Sequence, residues 1–344
     1  MQHKEIAVFF TGGTIGMGPC DGAPGVAPGG NFERLMTDLA PDPHPGAPDA
    51  PGSGQTPPIR LRPIAWSDKP SPHMTPACMF QLARDLDAAL AEPDTAGAVV
   101  LHGTDVLAET AFLCDLVLAS RKPVVFTGSM RYYTEIGYDG LRNLVNGVRA
   151  CLKPLPPETG VVLLMNDRFF AAREVVKINS LNVDAFGAGE AGVLGYVAGR
   201  DVALSPLTAL GKRVRLRPDH LETHVPLVTC YTGMDGAAID ALRAAGMAGL
   251  VVEGFGAGNV PPAALPAIDA CLAQGVVVVL ATRCIEGGVW PIYGYEGGGA
   301  DLARRGVILS GRLGGPKARL QLMAALGAGL DAPAIRNLFE EDHA

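Results

Sequence analysis

Thr104 and Asp105 place a hydroxyl and a carboxylate side by side, directly after an apolar run and the dipeptide His102-Gly103. A threonine hydroxyl attacks a carbonyl carbon when a base removes its proton. Lys177, which apolar residues flank, is a candidate base, because burial favours the neutral form of a lysine amine. A helix cap is the competing interpretation for Thr104 and Asp105, and an ordinary surface lysine is the competing interpretation for Lys177. These residues alone leave both interpretations open.

The same unit of strand, glycine turn and hydroxyl occurs three times. Residues 6–10 run into Thr-Gly-Gly-Thr-Ile-Gly at 11–16, and residues 123–126 run into Thr-Gly-Ser-Met-Arg at 127–131. Ligands of open α/β sheets bind beyond the carboxyl ends of the strands. We therefore expect the three turns to line one crevice with hydroxyls and backbone N–H groups.

Three backbone N–H groups in these turns are candidates for an oxyanion hole. They belong to Gly13, Gly103 and Thr104. Each such donor is worth roughly 10²- to 10³-fold in acyl transfer. The predicted chemistry is attack of a threonine on a carbonyl group.

The elements that position these turns alternate between apolar strands and helical patterns, which predicts an α/β fold with a doubly wound parallel sheet. We predict a larger N-terminal catalytic domain at 1–205, a linker at 206–224 and a smaller C-terminal α/β domain at 225–344. The Gly- and Pro-rich stretch 18–30 is expected to lack regular structure and to act as a lid. Residues 41–58 are expected to form a low-complexity surface insert.

The composition narrows the class of protein. A net charge of −7 without a Lys/Arg cluster argues against nucleic acid, and no apolar run reaches the roughly 18 residues of a membrane span. The first residues show no h-region or cleavage site of a signal peptide, and seven scattered cysteines fit reduced thiols, so we expect a cytoplasmic protein. Only 18% of the residues are charged and 48% are hydrophobic, so we expect some of the apolar side chains to be buried in subunit interfaces.

Motifs for nucleotide cofactors are incomplete. Gly254 and Gly256 begin a G-x-G-x-x-G pattern, but Asn259 stands at the third glycine, and no P-loop is present. We expect no cofactor and no metal.

Several motifs together carry a resemblance to a known family. They are Thr11–Ile15, His102–Asp105, Thr127–Arg131, Met165–Asp167 followed by Lys177, Leu194–Tyr196, Gly254–Asn259 and Gly315–Arg319. With these motifs, the sequence resembles the bacterial-type L-asparaginases of the asparaginase/glutaminase family over nearly its whole length.

The resemblance implies hydrolysis of L-asparagine to L-aspartate and ammonia by a homodimer or homotetramer, with a small amino acid as the partner molecule. It implies that Thr14 is the primary nucleophile and that Thr104, Asp105 and Lys177 form a second catalytic group, with Asp105 also holding the substrate ammonium. The residues expected to contact substrate are Ser71, Gly13, Gly103 and, from a neighbouring subunit, Asn259.

Two departures from the family pattern bear on activity. The family carries a tyrosine in the N-terminal loop, and none lies between Gly16 and Phe32. The substrate-carboxylate motif is altered at Ser71-Pro72-His73-Met74, where Pro72 removes a backbone N–H. A glutaminase or another amidase on the same scaffold, and a non-catalytic amino-acid-binding regulator, therefore stay as alternatives.

Overall fold

The computed structural model of the protein describes residues 4–20, 22, 24–39, 59–153, 159–205 and 213–340. The predicted insert at 41–58 and the part of the predicted linker at 206–212 lie outside these residues. The chain divides into two compact units, Met1–Leu210 and Gly211–Ala344.

An eight-stranded sheet forms the centre of the larger unit. The strands of this sheet are β1 (Glu5–Phe10), β4 (Arg60–Ala65), β5 (Thr95–Leu101), β6 (Val124–Thr127), β7 (Val161–Met165), β8 (Arg168–Ala171), β11 (Gly195–Ala198) and β12 (Asp201–Leu204). Their order across the sheet is β12-β11-β8-β7-β6-β5-β1-β4. The strands β4, β1, β5, β6 and β7 pair in parallel. The carboxyl ends of these five strands therefore meet at one edge, as predicted.

Side chains alternate along the parallel strands and bury both faces of the sheet. Phe9 and Val100 face one hydrophobic core, and Val8 and Leu101 face the other. Helices α2 (Pro76–Ala91) and α3 (Leu107–Val117) contribute to the first core, and helices α1 (Phe32–Leu39) and α4 (Gly140–Leu152) contribute to the second. The predicted α/β fold with helices on both faces is confirmed.

The sheet adds three antiparallel strands to the predicted parallel ones. A two-residue turn, Asn166-Asp167, joins β7 to β8 in antiparallel register. Both residues have left-handed backbone angles, with φ of 49° and 61°, and Asn and Asp tolerate this conformation best among residues with a side chain. This turn reverses the chain, so that β8, β11 and β12 run antiparallel to their neighbours.

The Gly- and Pro-rich stretch after β1 contains regular structure, so the prediction for 18–30 was wrong in part. Strands β2 (Met17–Pro19) and β3 (Val26–Pro28) pair as an antiparallel hairpin. Pro19 and Pro28 are the last residues of these short strands, and an edge strand tolerates the N–H that proline lacks.

The second unit is built on a four-stranded parallel sheet. Its strands, in their order across the sheet, are β13 (Leu227–Thr229), β14 (Gly249–Gly254), β15 (Val277–Thr282) and β16 (Ile308–Leu309). Its helices are α5 (Ala237–Ala244), α6 (Leu265–Ala273), α7 (Gly299–Arg305), α8 (Gly315–Gly327) and α9 (Ala332–Glu340). Within the described ranges, no helix combines the length and the apolar character needed to cross a membrane.

Candidate active site

The turns after β1, β4 and β5 pack against one another through glycine backbones. A Cβ atom added to Gly13 would lie 2.2 Å from the Cα of Gly103, and one added to Gly103 would lie 2.7 Å from the Cβ of Ser71. Only glycine permits this approach, and Gly13 also has φ of 92°. Ser71, the residues after Gly13 and the residues after Gly103 therefore share one small region at the carboxyl ends of the strands.

A hydrogen-bonded group of three side chains lies in this region. The Lys177 amine donates to the Thr104 hydroxyl at 3.0 Å and to Asp105 Oδ1 at 2.7 Å. Thr104 is buried and the Lys177 side chain is 19% exposed, whereas the Asp105 carboxylate is largely open to solvent. Lys177 therefore lies between a hydroxyl and a carboxylate that precede it by 73 and 72 positions in the sequence.

The antiparallel half of the sheet brings Lys177 to this position. After β8 the chain forms β9 (Val176–Lys177), which pairs with β10 (Phe186–Gly187) in antiparallel register. The upstream Asn166-Asp167 turn is fixed by Arg142, which donates to Asp167 through Nε at 2.8 Å and Nη2 at 2.7 Å. The motif Met165–Asp167 thus serves a structural role, because it sets the direction of the chain that carries Lys177.

Ser71 joins the second turn to Asp105. Its hydroxyl accepts a hydrogen bond of 3.1 Å from the Asp105 backbone N–H, and Ser71 itself is buried. Ser71 begins a single helical turn that extends to His73, and the His73 N–H donates to the Pro70 carbonyl. Pro72 and His73 are exposed.

Thr14 begins a three-residue helical turn that ends at Gly16. Thr14 is partly buried, and Ile15 is completely buried. Two side chains from other segments hold this turn. Asn31 donates to the Gly16 carbonyl at 3.0 Å, and the Tyr138 hydroxyl donates to the Ile15 carbonyl at 2.8 Å.

Three other hydroxyls that we expected to line the crevice serve the backbone instead. Thr11 donates to the Leu101 carbonyl at 3.0 Å, Thr127 donates to the Leu164 carbonyl at 2.7 Å, and Ser129 donates to the Arg131 carbonyl at 2.7 Å. All three donors are buried. The prediction was wrong for these residues, because a hydroxyl at a strand end satisfies a carbonyl of the adjacent strand or turn.

His102 lies directly before Gly103 and is completely buried. Its Nδ1 lies 2.7 Å from the Gly103 carbonyl and donates to it in the neutral tautomer. Burial lowers the pKa of His102 to about 4, although the bond to Gly103 opposes that shift. His102 is therefore neutral at physiological pH and fixes the glycine turn beside Thr104.

Asn259 lies in the second unit. It follows β14 in a tight turn, where its side-chain amide donates to the Phe255 carbonyl at 3.3 Å and its Oδ1 is buried without a partner. A Cβ on Gly254 would come within 2.7 Å of the Asn259 carbonyl, so the Gly254–Asn259 motif shapes this turn. Across the described residues, no group of three or more His, Cys, Asp or Glu side chains has the arrangement of a metal site.

The comparisons with known proteins agree on one family over most of the chain. Residues 5–207 match the family model "Asparaginase, N-terminal", and residues 224–339 match "Glutaminase/Asparaginase C-terminal domain". The chain is 36% identical to a "Probable L-asparaginase" of Deinococcus radiodurans, covering 98% of this chain and 97% of that protein. It is 35% identical to an "L-asparaginase" of Bacillus licheniformis, covering 75% of this chain and 80% of that protein.

One solved structure has the same fold over both units. It is the crystal structure of a "Probable Cytoplasmic L-asparaginase" from Campylobacter jejuni, with a TM-score of 0.82 and 29% identity. The match covers 98% of this chain and 99% of that one. A further relative from Haemophilus influenzae, 32% identical over 79% of this chain, is named periplasmic, so the cytoplasmic location of this chain stays a prediction.

Proposed function

The chain belongs to the asparaginase family, and from that membership we propose that it is an amidohydrolase of the L-asparaginase type. It hydrolyses the side-chain amide of L-asparagine to L-aspartate and ammonia. The observation that carries this proposal is the contact of Lys177 with both Thr104 and Asp105 beside the packed turns of Gly13 and Gly103.

Thr14 acts as the nucleophile. Its hydroxyl oxygen attacks the amide carbon, and the carbonyl oxygen takes up negative charge that the backbone N–H groups of Gly13, Gly103 and Thr104 stabilise. The C–N bond then breaks, the nitrogen takes the proton that the Thr14 hydroxyl has lost and leaves as ammonia, and an ester of Thr14 with the aspartyl group remains. The close approach of the Gly13 and Gly103 backbones supports this step, because donors on the two turns can then act on one oxygen.

Thr104, Asp105 and Lys177 carry the second half of the reaction. The Lys177 amine acts as the base: it takes a proton through the Thr104 hydroxyl, which activates a water molecule to attack the ester. The Thr14 oxygen leaves with a proton, and aspartate is released. The exposed Asp105 carboxylate keeps one oxygen on Lys177 and offers the other to the ammonium group of the substrate.

Ser71 holds the carboxylate end of the substrate. Its hydroxyl oxygen accepts from the Asp105 N–H, which leaves the Ser71 hydroxyl proton for a substrate oxygen. Pro72 offers no N–H, so fewer donors face this end of the substrate, and the preference for asparagine over glutamine depends on how Ser71 and Asp105 orient it.

The test is ammonia release by the purified full-length chain from asparagine, glutamine and the D-forms of both. We expect turnover of L-asparagine, and we expect Thr14→Ala to lower it by about 10³-fold or more, as for other nucleophile deletions. Thr37→Ala is the matched control, because the Thr37 hydroxyl serves only the surface of α1. A larger kcat/KM for glutamine would make the protein a glutaminase, and binding of asparagine without turnover would make it a regulator.

We also propose that copies of this chain assemble through the second unit. The segment after β15 exposes a group of large apolar side chains, which are Ile285, Trp290, Ile292, Tyr293 and Tyr295. Exposed apolar patches mark interaction surfaces, and burial by another copy would account for the apolar surplus of the sequence. In light scattering, Ile292→Lys should yield smaller particles than wild type, whereas Ile136→Lys in the larger unit should not.

A further inference from the structure

The turn that carries Thr14 cannot fix its own position. It is three residues long and is closed by two backbone hydrogen bonds, from the Gly16 N–H to the Gly13 carbonyl and from the Met17 N–H to the Thr14 carbonyl. Gly12 and Gly13, which precede it, have φ of 104° and 92°, and such glycines restrict the backbone little. Short turns of this kind have poor internal hydrogen-bond geometry, so contacts from other segments decide where Thr14 lies.

One of those contacts comes from a loop that contains none of the proposed catalytic residues. We call residues 131–138, between β6 and α4, the tyrosine loop. Arg131 braces it from within by donating to the Gly137 carbonyl at 2.8 Å. At its end, the Tyr138 N–H donates to the Glu135 carbonyl at 3.0 Å. These two hydrogen bonds within the loop restrict the position of Tyr138.

The tyrosine loop touches the Thr14 segment at two points. The Tyr138 hydroxyl donates to the carbonyl of buried Ile15 at 2.8 Å, and the Tyr133 N–H donates to the Met17 carbonyl at 3.2 Å. The two tyrosine rings pack edge to face at 5.3 Å. Burial raises the pKa of Tyr138, so the phenol stays protonated and keeps donating to Ile15 across the neutral range.

The same loop is tied to the turn beside Thr104. Asp139 accepts from the N–H groups of Met130 and Arg131, each at 3.1 Å. Asn143 donates to Asp139 and to the Gly128 carbonyl. A Cβ on Gly128 would lie 3.4 Å from the Thr104 methyl carbon. Residues 138–143 therefore connect the Thr14 turn to the surroundings of Thr104.

We propose that Tyr138 is a positioning residue for Thr14: its hydroxyl, held by the tyrosine loop, fixes the Ile15 carbonyl and thereby the direction of the Thr14 side chain toward Thr104. This inference rests on the proposed role of Thr14 as nucleophile. Tyr138 acts through the backbone and does not touch the substrate.

The test compares Tyr138→Phe with Tyr133→Phe. Both changes remove one hydroxyl and keep the ring, but the Tyr133 hydroxyl bonds Asp38 on α1 and not the Thr14 segment. We expect Tyr138→Phe to lower kcat by about 10- to 100-fold, because small misplacements of a reacting group cost that much. We expect its KM for L-asparagine to stay within about twofold, and Tyr133→Phe to keep both constants of wild type.

A second variant, Gly140→Ala, disturbs the hydrogen bond between Tyr138 and Ile15 without removing the hydroxyl. A Cβ on Gly140 would lie 2.2 Å from the Tyr138 hydroxyl, so Gly140→Ala keeps the hydroxyl but displaces it, and kcat should fall here too while KM holds.

The outcomes separate this inference from the proposed function. Turnover by wild type with equal kcat in Tyr138→Phe and Tyr133→Phe overturns the positioning role alone. A rise in KM at unchanged kcat also overturns it, because that pattern reports substrate binding. Absence of ammonia release by wild type instead overturns the proposed function, on which the inference rests.

Discussion

The Lys177 amine donates a 3.0 Å hydrogen bond to the Thr104 hydroxyl, although 73 positions of sequence separate the two residues. The contact exists because the Asn166-Asp167 turn reverses the chain and strand β9 returns it to the end of β5. Its second partner, Asp105, lies 2.7 Å from the same amine. A lysine shared between a hydroxyl and a carboxylate is suited to move a proton and not only to balance charge.

Replacing Lys177 should therefore remove catalysis while leaving the fold intact. We expect Lys177→Met to lower kcat by about 10²- to 10⁴-fold, the usual contribution of a general base. Lys153→Met is the control, because Lys153 pairs with Asp201 on the surface and should turn over like wild type. Ammonia release at saturating asparagine measures both. Equal kcat for the two variants would remove Lys177 from the mechanism.

The contact between Gly13 and Gly103 should be essential for a steric reason. Gly13→Ala introduces a Cβ 2.2 Å from the Gly103 Cα, between two backbones that cannot yield. We expect a loss of activity of at least about 10²-fold, since the two turns must separate. Gly246→Ala is matched in backbone strain, with φ of 83°, but its Cβ meets no atom within 4 Å. Gly246→Ala should therefore lower the stability of the protein and leave kcat unchanged. A normal kcat for Gly13→Ala would show that activity does not depend on the contact between Gly13 and Gly103.

His102 should make the stability of the protein depend on pH below neutrality. Its pKa is about 4 in the folded chain and near 6.5 when unfolded, so between these values the unfolded chain binds the extra proton. The stabilisation is complete above pH 6.5 and is lost as the pH falls toward 4, by up to about 3 kcal/mol.

The control for this prediction is His102→Asn, which does not titrate and keeps an amide donor for the Gly103 carbonyl. We would measure the free energy of unfolding in urea at pH 7 and pH 4.5 for both proteins. Wild type should lose more stability than the variant on acidification. Parallel losses would show that other groups cause the pH dependence.

The sequence predicted the parts of the site that local patterns determine. An apolar run, a glycine and a Thr-Asp pair are sufficient to place Thr104 and Asp105 in a turn after a buried strand, and the structure has them there. The alternation of strands and helices likewise predicted the α/β fold. What these features share is that adjacent residues decide them.

The features that the sequence did not reveal depend on which strands become neighbours. Thr11 and Thr127 have the same local pattern as Thr104, yet their hydroxyls bond carbonyls at the ends of β5 and β7, and only the strand order shows that those carbonyls are in reach. Tyr138 lies 123 positions from Ile15, and nothing in its own segment indicates that contact. The sequence signal for this loop is the group of tyrosines that follows Arg131, at positions 132, 133 and 138.

The most direct test of the account asks which hydroxyl carries the acyl group. Full-length protein would be mixed with saturating L-asparagine, quenched in acid during turnover, digested and examined by mass spectrometry. Our account predicts an aspartyl ester on the peptide that contains Thr14, absent in Thr14→Ala. An ester on the Thr104 peptide, or unchanged turnover by Thr14→Ala, would contradict it.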